Sequence, residues 1–263
     1  WSSVGPTTAF VGPVLAGVSV QVLDYAATFI ICAVIYACSL VVLFFTAKIA
    51  HHKTSAHHVP LLQVVQKHRR TFATAGTVMI ILQFLRGARL WIIPVWGATL
   101  GLDEATIGFV FSASSLIDMA MFYPVGLMLD HLGRRTALTP ALIILSASIA
   151  LMPFTNTLWT FAACAVLTGL GNGFSTGIFM TLGGDFSPPE GRGEFLGVWR
   201  LVGDIGTATG PFLIGGLAQL GSVIVAGTVT GGLGLVGVAI LWVWVPETLR
   251  KRAVTNATRG ASG

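Results

Sequence analysis

Apolar residues fill long runs of this chain, and short polar stretches separate the runs. Most runs are close to the roughly 20 residues that a helix needs to cross a hydrocarbon core of about 30 Å. The runs lack the alternation of apolar and polar residues that is typical of a barrel strand, so the pattern predicts helices. The candidate spans are Ser3–Val20, Ala26–Ile49, Phe72–Leu100, Ala105–Leu129, Thr136–Phe154, Leu158–Leu182, Phe195–Leu220 and Val223–Val245.

The composition supports a membrane protein over a soluble one. Of 263 residues, 54% are hydrophobic and only 10% are charged, whereas about a quarter of the residues of a soluble domain are charged. The mean hydropathy is +0.83. We therefore predict an all-α polytopic membrane protein with the lipid bilayer around it. The net charge of +5 fits basic cytoplasmic loops, and we expect no nucleic-acid partner.

Basic residues lie in every second connection between the predicted spans. The connections QVLD, GLDE, TNT and LGS contain no Lys or Arg, and the others hold Lys48, Lys53, Lys67, Arg69, Arg70, Arg134, Arg135, Arg192, Arg250, Lys251, Arg252 and Arg259. Loops rich in Lys and Arg stay in the cytoplasm. We therefore expect a multi-pass protein of the cell membrane whose 50–71 loop and C-terminus are cytoplasmic.

The long polar break at residues 50–71 separates two predicted spans from six. Four of its histidines, His51, His52, His57 and His58, have no Cys or carboxylate beside them, so we interpret the segment as a solvated basic linker and expect no metal site. The chain begins at Trp1, and no charged n-region precedes its first apolar run. We expect an upstream part that this sequence lacks.

A Gly-Pro stretch occurs twice, 198 residues apart. VGPVLAGVSVQV begins at Val11 and TGPFLIGGLAQL begins at Thr209, and both lie inside predicted spans. Pro bends a helix, and Gly lets a neighbouring helix approach closely. Repeated Gly/Pro-interrupted helices indicate a secondary transporter built from duplicated halves. The helix-bend positions are Gly12, Pro13, Gly17, Gly210, Pro211 and Gly215.

The loop GLMLDHLGRR resembles the signature G-x-x-x-D-R-x-G-R-R/K of the major facilitator superfamily. Its matching positions are Gly126, Asp130, Gly133, Arg134 and Arg135, and His131 replaces the usual basic residue. GPVLAG resembles the Gly-Pro-x-x-Gly-Gly motif of proton-coupled antiporters, with Ala16 for one Gly, and VPETLRKR resembles the end of the twelfth span. Three longer stretches are similar to bacterial drug-efflux members of this superfamily: FLRGARLWIIPVWGATLGL, LIDMAMFYPVGLMLDHLGRR and RGEFLGVWRLVGDIGTATGP.

This resemblance implies a partial major facilitator fold that comprises spans five to twelve. Residues 1–49 would be the last two helices of the N-terminal half, 50–71 a cytoplasmic linker, 72–249 the six-helix C-terminal half and 250–263 a cytoplasmic tail. The first four spans would be absent, and the full-length protein would be a monomer. The signature loop would stabilise one conformation at the cytoplasmic face.

Five charged residues lie inside the predicted spans, where a charge usually faces a cavity or a partner. Arg86 and Arg89 share a helix face, and Asp118 lies at a similar depth in the next helix. With Asn172 they are our candidates for a substrate or proton cavity, although buried structural pairs would explain them too. Arg200 and Asp204 are spaced to pair within one helix, and we assign them to the cytoplasmic gate with the signature loop.

The function predicted from these features is secondary active transport of small molecules by alternating access, as proton-coupled efflux of a drug or metabolite. A P-loop and HExxH are absent from the sequence, and its one GxSxG match, Gly173–Gly177, lies inside an apolar predicted span, so we expect neither enzymatic activity nor a cofactor. LGGDF only faintly resembles an aspartyl protease motif, since Leu182 occupies the position of the required Gly. The alternatives are a membrane sensor or scaffold that keeps the fold without transport, and a non-functional truncated fragment.

Overall fold

Six helices of the described chain are long and apolar enough to cross a membrane. The computed structural model describes residues 26–27, 29–31, 33–40, 60–131 and 133–245. The six helices are α1 (Arg69–Thr99), α2 (Glu104–Leu129), α3 (Arg134–Phe154), α4 (Leu158–Phe186), α5 (Arg192–Leu220) and α6 (Val223–Trp244). They overlap the last six predicted spans closely, and the prediction of an all-helical membrane protein is confirmed.

Polar residues and glycines fix the points at which these helices begin. Asp103 and Ser222 accept hydrogen bonds from the backbone at the starts of α2 and α6, and Thr157 forms a capping box with Thr160 at the start of α4. Such caps satisfy N–H groups that have no partner within the helix. Gly133 precedes α3 with φ of 95°, a conformation that favours glycine.

Three of the helices are irregular. Helix α1 contains a π-helical stretch at Phe72–Gly76 before the regular helix Thr77–Thr99. In α2, a turn at Met121 separates Glu104–Ala120 from a second helical segment that begins at Phe122. Helix α4 consists of Leu158–Ser175 and Ile178–Phe186, and Gly177 between them has φ of 88°. The breaks in α2 and α4 lie side by side, because a Cβ on Gly173 would meet the Cβ of Met121 at 2.5 Å.

The packing of the six helices follows an internal symmetry. The main contacts join α1 to α5, α2 to α4, α3 to both α4 and α6, and α6 to α1. Exchanging α1, α2 and α3 for α4, α5 and α6 converts the α1–α5 contact into α2–α4 and the α3–α4 contact into α6–α1, and it leaves the α3–α6 contact unchanged. The two three-helix units start on opposite sides of the bundle, so they form an inverted repeat of the kind found in transporters.

Glycines let the helix backbones approach closely in the α1–α5 pair and in the α2–α4 pair. A Cβ on Gly210 of α5 would lie 2.5 Å from the backbone nitrogen of Ala88, and one on Gly206 would lie 2.5 Å from the carbonyl oxygen of Ile80. In the α2–α4 pair, Gly169 faces the carbonyl oxygen of Ser114 in the same way. Apolar helices gain little hydrophobic energy by associating in lipid, so such close approach is a main source of their stability.

Part of the predicted 50–71 linker is helical. Residues Leu61–Lys67 form a short helix that packs on α5 through the buried Val64. The ring of His68 meets the edge of Phe195 with centroids 5.3 Å apart. The described parts of the second predicted span are also helical, between residues 26 and 40. The first predicted span and His51, His52, His57 and His58 lie outside the described residues.

Candidate functional site

Asp118 is held by side chains from two other helices. Its Oδ2 accepts a hydrogen bond of 2.5 Å from Asn172 Nδ2, and its Oδ1 accepts one of 3.1 Å from Thr176 Oγ1. Arg89 Nη1 lies 3.6 Å from Oδ2. The residue thus joins α2 to α4 and α1, directly beside the paired breaks in α2 and α4.

The two arginines of α1 reach this carboxylate in different ways. Arg89 is 4% exposed and pairs with Asp118 directly, while its Nη2 donates to Ser114 Oγ at 2.9 Å. Arg86 reaches it through Asn172, because Arg86 Nε donates to Asn172 Oδ1 at 3.0 Å. Arg86 Nη1 also donates to Gln83 Oε1 at 3.1 Å. The sequence analysis did not decide whether Arg86 or Arg89 pairs with Asp118. In the structure the ion pair is with Arg89.

This polar cluster lies near the middle of the bundle along the helix axes. Asp118 is fourteen residues into α2 and Asn172 is fourteen into α4, which is about 21 Å at 1.5 Å per residue. Arg86 is seventeen residues into the 31-residue α1. The four residues predicted to line a cavity, Arg86, Arg89, Asp118 and Asn172, are therefore brought together at one depth.

Arg200 and Asp204 form the predicted pair within α5. Arg200 Nε lies 3.1 Å from Asp204 Oδ1, and the side chains are 62% and 56% exposed. Arg200 is within electrostatic reach of Arg86, so the pair also belongs to the surroundings of the intramembrane cluster. Its assignment to a cytoplasmic gate stays a prediction.

Arg134 of the signature loop ties three helices together at one end of the bundle. Its Nε lies 2.9 Å from Asp185 Oδ2 near the end of α4, and both side chains are 6% exposed. It also donates to the carbonyl of Leu129 in α2. Arg135 lies over the ring of Trp242 in α6, 4.2 Å from its centroid. The two arginines connect the start of α3 to α2, α4 and α6.

Several polar contacts of these sites were missed by the sequence analysis. Asp185 was considered only as part of a weak protease motif, although its position at the same end of the bundle as Arg134 was a usable signal. Gln83 is three residues before Arg86, on the same face of α1. Ser114 and Thr176 gave no signal, because single hydroxyl residues are common in apolar helices and can bond their own backbone.

The predicted helix-bend positions are only partly described. Helix α5 continues through Pro211, and Gly210 packs against α1. A Cβ on Gly215 or on Gly126 would meet no atom within 4 Å. Gly12, Pro13 and Gly17 and the side chain of Asp130 lie outside the described part of the chain. Among the residues that the structure describes, no group of three His, Cys, Asp or Glu side chains is placed to hold a metal ion.

Comparison with known proteins identifies the family. Residues 77–262 match the Major Facilitator Superfamily. An uncharacterized MFS-type transporter of Methanocaldococcus jannaschii is 24% identical over 57% of this chain and 39% of its own length. The efflux pump azaK of Aspergillus niger is 31% identical over 48% of this chain and 27% of its own length. The match therefore spans less than half of either relative. With its six spans, signature loop and inverted repeat, this multi-pass membrane chain belongs to the Major Facilitator Superfamily.

Proposed function

We propose that this chain is the larger part of a secondary transporter that moves a small molecule outward in exchange for protons, by alternating access. The observation that carries this proposal is Asp118, a carboxylate at mid-depth that is held by Arg89, Asn172 and Thr176. A charge at this depth is costly and usually marks a substrate or proton pathway. The name of one relative, an efflux pump, supports the outward direction.

The contacts of Asp118 suggest how a proton would change the site. The ionised carboxylate attracts Arg89 and accepts hydrogen bonds from Asn172 and Thr176. A protonated carboxyl would lose the ionic attraction and would itself need an acceptor. Binding a proton would therefore loosen the connection between α1, α2 and α4, and the equilibrium between two conformations would shift.

The arrangement of the complete protein is part of the same proposal. The six helices would form one half of a carrier, and a second half would face the side of the cluster that bears Arg200 and Asp204. The tail and the 50–71 loop would be cytoplasmic, the membrane would be the cell membrane, and the carrier would work as a monomer without a cofactor or enzymatic activity.

The test is proton movement driven by solute in liposomes that contain the complete protein. A pH-sensitive dye inside the liposomes reports proton flux when carboxylates, amides or amines are added one at a time. Because neutral amines and carboxylic acids cross lipid unaided, we expect at least one solute to drive proton flux into liposomes with the wild-type protein that exceeds the flux into protein-free liposomes. Asp118→Asn should remove most of this flux, because an amide cannot take up and release a proton as a carboxyl group does.

Glu190→Gln is the matched control, because it removes an exposed carboxylate from the turn before α5 and should leave the flux unchanged. Undiminished proton flux in Asp118→Asn would remove Asp118 from the mechanism. Absence of proton flux with every solute of the panel would contradict proton coupling and favour a sensor or scaffold.

A further inference from the structure

The charges in the interior of the described spans do not balance. They are Arg86, Arg89, Asp118, Arg200 and Asp204, which sum to one positive charge. Arg89 lies 3.6 Å from Asp118, and Arg200 lies 3.1 Å from Asp204. Each carboxylate therefore has its own arginine, and Arg86 carries the excess charge.

The partners of Arg86 among the described residues are neutral. Its Nε and Nη1 donate to the amide oxygens of Asn172 and Gln83, at 3.0 and 3.1 Å. These bonds fix the plane of the guanidinium group. The charge of Asp118 also acts on Arg86, but Asp118 is paired with Arg89, so one positive charge stays in excess among the described residues. The other terminal nitrogen, Nη2, has no hydrogen-bond partner in the part of the chain that the structure describes, and the side chain is only partly buried.

A second unused donor lies one turn away on the same helix. Arg89 is 4% exposed, and its Nε is buried without a hydrogen-bond partner among the described residues. Leaving a buried donor unsatisfied is costly, and an excess positive charge in a low-dielectric site is costlier still. An anion with two acceptor oxygens at Arg86 would balance the excess charge.

We propose that Arg86 anchors an oxyanion, a carboxylate or a phosphate group, of the transported solute. A guanidinium group matches the two oxygens of such a group in a bidentate arrangement, and Asn172 and Gln83 hold it ready. This inference rests on the proposed transport function and adds the chemical class of the substrate. It assigns Arg89 to Asp118 and the partly buried guanidinium of Arg86 to the solute.

The test measures thermal unfolding of the complete protein in detergent with matched probes. The anions are hexanoate, benzoate and phenyl phosphate. Their neutral counterparts are hexanamide, benzamide and phenol, and benzylammonium is the cation. We expect at least one anion to raise the unfolding temperature with saturable concentration dependence, while its neutral counterpart does not. Comparison of benzoate with phenyl phosphate separates a carboxylate solute from a phosphate solute.

Variants assign the effect to Arg86. Arg86→Gln should weaken the affinity for that anion about tenfold or more, because a hydrogen bond to a charged group is lost. Arg86→Lys should keep the preference for the anion at lower affinity, since lysine keeps the positive charge but cannot donate two parallel hydrogen bonds to it. Arg69→Gln, which removes an exposed arginine from the start of the same helix, should bind like the wild type. If Arg86→Gln does not fold, the comparison of Arg86→Lys with Arg69→Gln decides whether Arg86 binds the anion.

Three results would overturn the inference: stabilisation only by benzylammonium or the neutral probes, no stabilisation by any anion of the panel, or an Arg86→Lys variant that binds the anion as tightly as the wild type does. The proton-flux experiment separates this inference from the proposed function. Flux driven by amines alone would support transport and contradict the anion, whereas anion binding without flux would do the reverse.

Discussion

At the scale of single residues, Asn172 is the centre of the cluster. Its amide donates to Asp118 and accepts from Arg86, so a neutral side chain separates the carboxylate from the free positive charge. A charged residue in place of Asn172 would pair with Asp118 or with Arg86, and the other of the two would lose its neutral partner. The neutral bridge lets Asp118 change its protonation state while Arg86 keeps its charge and its orientation.

Arg134 and Asp185 provide a residue-scale prediction about stability. Because both side chains are 6% exposed, removing one partner leaves a buried charge. Arg134→Gln or Asp185→Asn should lower the free energy of unfolding by about 3–5 kcal/mol, measured by SDS titration in mixed micelles. The double variant should lose clearly less than the sum of the two single variants.

The exposed pair Arg200–Asp204 is the control for that measurement. Arg200→Gln or Asp204→Asn should cost at most about 1 kcal/mol, since exposed ion pairs contribute little. Equal losses from the two pairs would contradict a structural role for Arg134 and Asp185, and so would strict additivity in the double variant.

The sequence predicts part of this residue-scale picture. Spacing along one helix was enough to place Arg86 beside Arg89 and Arg200 beside Asp204, because helix geometry is the same everywhere. The choice between Arg86 and Arg89 as partner of Asp118 depends on how α1 is rotated against α2 and α4. That rotation is set by glycine contacts between distant helices, which a single sequence does not reveal.

At the scale of helices, glycines decide how closely the spans approach. In a lone helix, Gly→Ala favours helix formation by about 1 kcal/mol. In the crossing of α5 and α1, Gly210→Ala would place a Cβ 2.5 Å from the nitrogen of Ala88 and 2.8 Å from the carbonyl oxygen of Phe84. These backbone atoms cannot move aside as a flexible side chain can.

Gly210→Ala should therefore destabilise the protein by about 1–3 kcal/mol and lower its thermal unfolding temperature in detergent. Gly215→Ala is the control on the same helix, because a Cβ there meets no atom within 4 Å. It should unfold at the wild-type temperature or slightly above it. Similar unfolding temperatures for the two variants would contradict the close crossing of α1 and α5.

The last six predicted spans agree well with the helices of the structure, because a helix that crosses lipid needs a long uninterrupted apolar run. The breaks in α2 and α4 were not predicted. Apolar residues continue through Met121, and Thr176 and Gly177 are both tolerated in membrane helices. Only the packing of the two helices shows that these interruptions lie together beside Asp118.

At the scale of the whole molecule, the inverted repeat places the cluster at the junction of its two three-helix units. Arg86 of α1 and Asp118 of α2 belong to the first unit, and Asn172 of α4, which is bonded to both, belongs to the second. A change in the bonds of Asp118 therefore acts on both units at once. Such a position suits a carrier that rocks between two conformations around a fixed site.

The central claim, alternating access at this site, is tested most directly by cysteine accessibility. Gln83→Cys places a thiol beside Arg86 on a partly exposed side chain, in a protein in which Cys32, Cys38 and Cys164 are replaced by alanine. A membrane-impermeant maleimide is then added from one side of the membrane at a time. We predict labelling from both sides, with a solute that drives proton flux changing the two rates in opposite directions. Labelling from one side only, under every condition, would contradict the account.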